Sequence, residues 1–222
     1  VGTNAPQILY NGAALVERGS RRVTFRRCLP LADARLALTL LKDFPLHVNL
    51  YAGEDLYIER VTPAATESMV KDGVTAEVVG DLVAFLREDP VKLLCIGEPA
   101  DLEAFRLAFL EERARRRLPG DQPHLVRSEE TYLEVLPPGV NKGVALTELA
   151  RQLAIPLEAV AAFGDNLNDL EMLEAAGLGV AVGNAHPDLK ARADLVAGTN
   201  NEGGVAAVIR EVVLADAGGR RG

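Results

Sequence analysis

The 222-residue sequence predicts an α/β fold in which an α+β region is joined to a core with a parallel β-sheet. Three observations carry that prediction. After Pro137-Pro138-Gly139 the chain turns to Ala-rich helical segments alternating with short apolar runs, the pattern of βα units that set parallel strands side by side. Before that point, amphipathic helices are mixed with strands that read as hairpins, as in a small α+β domain. With 48% hydrophobic and 25% charged residues, the chain can bury the core of one or two ordinary globular domains.

In order, residues 8–10 give a short apolar strand broken by Asn11-Gly12, two residues that tolerate positive φ and so mark a bend. Apolar residues recur at three- and four-residue spacing over 29–41, which predicts a helix. Residues 47–51 and 56–58 flank Ala-Gly-Glu-Asp and read as a hairpin. Helical character follows over 80–87, an apolar strand over 91–96, a long helix over 99–117 and a strand over 132–136. Past the Pro-Pro-Gly break, Asn141 can cap a helix over 142–154, in which Leu146, Leu149, Ala150 and Leu153 share one face. Strands at 160–163, 178–182 and 195–196 then alternate with helices at 167–176, 187–193 and 203–213. Residues 217–222 read as a frayed tail.

Composition excludes several classes. A net charge of −8 and a pI near 5.0 do not suit a nucleic-acid binder, which needs clustered Lys and Arg. The run Arg113, Arg115, Arg116 and Arg117 sits where cations suit a helix dipole and reads as a solvated helix end. No apolar run approaches the roughly 20 residues that span a bilayer. Cys28 and Cys95 form no CxxC pair, which fits a reducing cytoplasm. The start, Val-Gly-Thr-Asn-Ala-Pro, is no signal peptide, and Val rather than Met in first place suggests preceding sequence. There is no GxxxxGKS/T loop and no GxSxG elbow, and Gly177, Gly179 and Gly183 miss GxGxxG spacing by one residue.

The densest polar cluster is Gly164-Asp165-Asn166-Leu167-Asn168-Asp169, where an apolar strand ends and a helix begins. Ligands favour that edge of an open α/β sheet. A carboxylate there suits a hard cation such as Mg²⁺, and the helix start offers N–H groups to an anion. Capping alone would explain one such side chain but not four. Lys142 opens its helix at the positive end of the dipole, a placement that invites an anionic partner. In Gly183-Asn184-Ala185-His186-Pro187, Asn184 can cap or bind. His186 has no second ligand at metal spacing, and Tyr51, Tyr57 and Tyr132 fit strand packing.

Taken in order with Asn11-Gly12, Lys142-Gly143 and Asn200-Asn201-Glu202-Gly203-Gly204-Val205, these motifs resemble the landmarks of Cof-type phosphatases of the haloacid dehalogenase superfamily. The resemblance covers essentially the whole chain. It implies a Rossmann-like core with a parallel sheet (residues 1–20 and 137–222, first strands missing) and an inserted α+β cap domain (21–136). It implies Mg²⁺-dependent hydrolysis of small phosphorylated metabolites of the sugar-phosphate type through an aspartyl-phosphate, with neither nucleic acid nor membrane as partner. By the same resemblance Asp165 would ligate Mg²⁺ and Asp169 would support the metal from behind it. Lys142 and Asn168 would hold the phosphoryl group, with Asn184 and Asn11 nearby. The family's Asp-x-Asp-Gly-Thr run, which supplies nucleophile and acid-base, is absent from the 222 residues and would lie before Val1. Gly203-Gly204 departs from the family's acidic residue and glycine. Mannosyl-3-phosphoglycerate and sucrose-phosphate phosphatases share the fold and similar motifs, and a non-catalytic binding protein of this fold also fits a chain without the nucleophile.

Overall fold

The computed structural model describes residues 5–215, and the chain divides into two compact units, Val1–Val23 with Asn141–Gly222, and Thr24–Val140. The divisions fall three and four residues beyond those expected (23 against 20, 140 against 136). Residues 217–222, expected as a tail, lie outside the described residues.

The first unit opens with β1 (Gln7–Leu9) and β2 (Ala14–Val16), an antiparallel pair in which Leu9 faces Ala14. A 3-10 turn at Tyr10–Gly12 joins them, and the expected bend is there: φ is 54° at Tyr10, 51° at Asn11 and 99° at Gly12. β3 (Val23–Arg26) begins with the last residue of this segment.

The inserted unit is one six-stranded sheet with helices. In chain order these are α1 (Leu31–Leu41), β4 (His47–Ala52), β5 (Asp55–Ile58), α2 (Pro63–Asp72), β6 (Ala76–Val78) and α3 (Leu82–Phe85). β7 (Lys92–Ile96), α4 (Pro99–Arg116), β8 (His124–Glu129) and β9 (Tyr132–Leu136) complete it. The strand order is β6-β5-β4-β7-β9-β8, antiparallel except for β5 with β6. Because side chains alternate along a strand, Leu50, Leu93, Cys95, Leu133 and Val135 share one face. They pack with Leu38 and Leu41 of α1 and with Leu102, Phe105 and Phe109 of α4 in the largest core of the molecule. The opposite face carries Asn49, Tyr51, Lys92 and Glu134.

Two features of this unit differ from expectation. α2, β6 and β8 were not anticipated, although Thr62 caps α2 by accepting from Ala65 N–H at 3.1 Å, Pro63 stands at its first position and Gly73 ends it. The basic run of α4 is also not wholly a solvated end. Arg113 turns inward, donating to the buried Asp33 at 2.7 Å and to the carbonyls of Pro119, Gly120 and Asp121, while Arg115 and Arg116 stay outside, paired to Glu112.

The first unit resumes with α5 (Lys142–Gln152), β10 (Ala161–Gly164), a 3-10 turn at Leu167–Asp169, α6 (Leu170–Ala175) and β11 (Leu178–Ala181). α7 (Pro187–Lys190), β12 (Leu195–Val196) and α8 (Gly204–Val208) follow, and the last continues as a wider π-type turn over Ile209–Val213. Asn141 caps α5 as expected, accepting from Val144 N–H at 2.8 Å. β10, β11 and β12 are parallel, with small residues filling the layer between sheet and helices: Ala162, Leu173, Ala181, Ala185 and Leu189. No helix among the described residues is long and apolar enough to cross a membrane.

Candidate functional site

The parallel sheet delivers β10 to the cluster singled out in the sequence. At the end of β10 the chain turns at once, and the Asp169 carboxylate folds back over the turn. Its Oδ2 accepts from the N–H groups of Asp165 at 2.9 Å and Asn166 at 3.1 Å. A side chain on Gly164 would put its Cβ 2.5 Å from that of Asp169, so only glycine leaves room for this return. The other oxygen, Oδ1, accepts from Lys142 Nζ at 2.5 Å. Lys142 is brought there by the close approach of α5 to α6, where a Cβ at Gly143 would stand 2.3 Å from the Glu171 carbonyl oxygen.

Burial by itself would raise the pKa of Asp169. The Lys142 ammonium and the two backbone donors outweigh it and hold the carboxyl below its ordinary value, so the pair is ionic. Asn168 donates from Nδ2 to Asn11 Oδ1 at 2.9 Å, joining the turn after β10 to the bend after β1. Asp165 is exposed, and its carboxylate makes no hydrogen bond or ion pair with any described residue.

With this geometry in hand, the sequence profile of the haloacid dehalogenase-like hydrolases matches residues 1–209. The chain belongs to that family. Among the similar proteins, one from Haemophilus influenzae is 31% identical over 212 residues, 94% of this chain and 76% of its own length. The HMP-PP phosphatase of Escherichia coli is 32% identical over 163 residues, 73% of this chain and 57% of its own length. The crystal structure of a Thermotoga maritima protein superposes with a TM-score of 0.77 at 31% identity, covering 93% of this chain and 75% of that one.

In this hydrolase the two aspartates expected together at a metal differ in state. Asp169 is engaged by three donors, one of them a cation, whereas Asp165 is free. Among the described residues no three His, Cys, Asp or Glu side chains gather as a metal cluster. The donors at the strand end are oxygens of Asp and Asn, a set that fits Mg²⁺ in kind, and the Asp165 carboxylate is engaged by no described residue.

Other expected residues lie further from this centre. Asn184 Oδ1 accepts from Asn200 N–H at 3.1 Å and so ties two loops together. His186 caps α7, Nδ1 accepting from Asp188 N–H at 3.2 Å, and its own N–H donates to the Asp165 carbonyl at 2.9 Å, which fixes the backbone beneath the free carboxylate. Lys190 was not singled out in the sequence. It donates from Nζ to the Gly183 carbonyl at 3.2 Å and anchors the same loop. A lysine in the last turn of a short helix is what the dipole favours anyway, so nothing distinguished it.

Proposed function

We propose that this hydrolase is a Mg²⁺-dependent phosphatase acting on small phosphorylated metabolites of the sugar-phosphate type. The observation that carries the reading is the ionic Lys142–Asp169 pair beside the free Asp165 at the end of β10. Phosphoryl transfer asks mainly for positioning and charge neutralisation. Asp169 holds Lys142 aimed, so that the ammonium can meet a phosphoryl oxygen without reorganising. Asn168, held by Asn11, adds a polar group on the same turn. Bound at Asp165, Mg²⁺ would neutralise charge on the transferring group. The attacking group would be an aspartate outside these 222 residues, forming an aspartyl-phosphate that water then releases. The likeness to HMP-PP phosphatase supports a phosphatase.

The test uses the protein at its natural full length with p-nitrophenyl phosphate as substrate. Hydrolysis with Mg²⁺ that is abolished by EDTA and restored by added Mg²⁺ is expected. Equal turnover in EDTA would remove the metal from the reading, and no turnover with folded full-length protein would remove the phosphatase.

A further inference from the structure

We propose that the inserted unit holds, in a cavity of its own, a binding site for a small zwitterion with an apolar side chain, the chemistry of an apolar α-amino acid. The cavity encloses about 530 Å³, within the range of small-molecule pockets. It lies at one end of the sheet, where His47 opens β4 opposite Ile96, the last residue of β7. The other end of this strand pair, Tyr51 opposite Lys92, meets the segment by which the chain enters the unit: Leu29 N–H donates to Pro90 O and Val91 N–H to Tyr51 O. Four residues at about 3.3 Å each separate the two ends by about 13 Å. All the residues that line the cavity belong to the inserted unit, and the proposal does not rest on the phosphatase reading.

Its floor is apolar, with Leu38 and Leu41 from α1, Leu82 from α3 and Ile96 from β7. The polar wall is electrically settled. Asn49 donates from Nδ2 to Ser68 Oγ at 3.1 Å, so its Oδ1 faces His47 Nε2 at 2.8 Å as an acceptor, and that nitrogen carries the ring hydrogen. Nδ1 is then the acceptor for the Thr62 hydroxyl at 3.1 Å. Lys42, also on the wall, is neutralised by Asp81 at 2.8 Å. What remains is Arg60 with two carboxylates, Glu59 and Glu98, all exposed on the wall, their side chains bonded to no described residue. A guanidinium seeks a carboxylate, a carboxylate seeks an ammonium, and the apolar floor of the same cavity takes a hydrocarbon side chain. A simple amine or a simple acid would satisfy only one of the two.

The experiment is an NMR titration of the full-length protein with L-phenylalanine, 3-phenylpropionate and phenethylamine. L-Phenylalanine is expected to saturate, with shifts centred on His47, Arg60 and Gly97, and the two analogues to bind about tenfold more weakly or worse, a decade being about 1.4 kcal/mol. Arg60→Ala and Glu98→Gln, both at exposed side chains without partners, should keep the fold and each lower affinity about tenfold. Shifts that do not saturate, equal binding of all three compounds, shifts centred on residues 165–169, or unchanged affinity in either folded variant would each overturn the proposal.

Discussion

Each unit sets a lysine against a buried carboxylate, and the two pairs are nearly the same length: Lys142–Asp169 at 2.5 Å in the first unit, Lys92–Glu134 at 2.6 Å in the inserted one. What surrounds them separates them. Lys92 opens β7 with its ammonium 4.8 Å from the centre of the Tyr51 ring, and its side chain is 10% exposed. Lys142 begins a helix, its side chain is 27% exposed, and the turn that holds its partner also presents a carboxylate that no described residue engages. A short buried ion pair is therefore no mark of a site by itself. The mark is a pair that leaves its cation within reach, next to unused coordinating capacity.

The largest effect expected from this contrast is on turnover. Asp165→Ala should lower Mg²⁺-dependent hydrolysis of p-nitrophenyl phosphate by about 10²–10³-fold or more, on the scale of losing one preorganised electrostatic contact. Stability should change little, because the side chain is exposed and unbonded. Retained activity in the full-length variant would sink the metal assignment. In the inserted unit the effect should be on stability instead. Lys92→Met removes the ammonium paired with Glu134, whose side chain is 7% exposed, and should cost about 3–5 kcal/mol in urea denaturation. Lys92→Met with Glu134→Leu should return to within about 1 kcal/mol of the parent and keep its turnover. A folded double variant without turnover would make Lys92 a substrate contact and erase the distinction between the pairs.

The two units also differ in how far the sequence spoke for them. Strand-to-helix alternation placed β10, β11 and β12 within a residue or so, because each is a short apolar run bounded by turn chemistry, and the polar cluster fell at the end of β10. The pairing within that cluster was not legible. Lys142 and Asp169 are 27 residues apart, and only the close approach of α5 to α6 at Gly143 brings them together. In the inserted unit, α2 escaped periodicity because its ten residues bury little beyond Ala65 and Ser68, leaving the Thr62-Pro63 start and Gly73 stop as its only signals. Arg113 escaped because a basic helix end and an inward anchor for Asp33 look identical until α1 and α4 are packed.

Acid should separate the units by the smallest effect. Burial lowers the pKa of His47, the hydrogen bond it donates to Asn49 opposing that, while Arg60 lowers it further and Glu59 raises it. The folded state thus binds fewer protons than the unfolded chain. Its contribution is complete above the ordinary histidine value near 6.5 and declines as pH falls below that, levelling off once the folded histidine titrates. Asp169 has the same sign from the opposite cause, its charged form being favoured: Lys142 and two N–H groups hold the carboxyl down against burial. Its contribution is complete above the ordinary value of 3.8 and is lost only as pH falls through the lower folded value. Between pH 6.5 and 4 the inserted unit should therefore loosen first, at the Thr62–His47–Asn49–Ser68 chain that ties α2 to β4, with a slope of at most about 1.4 kcal/mol per pH unit. Hydrogen exchange of the α2 amides, corrected for the intrinsic pH dependence, should show opening that grows over this window in the parent and is flat in His47→Gln. The amides of Asp165 and Asn166 should hold until the pH drops below 4. Exchange that rises first at those two amides would mean that the first unit, not the inserted one, carries the acid-sensitive contact.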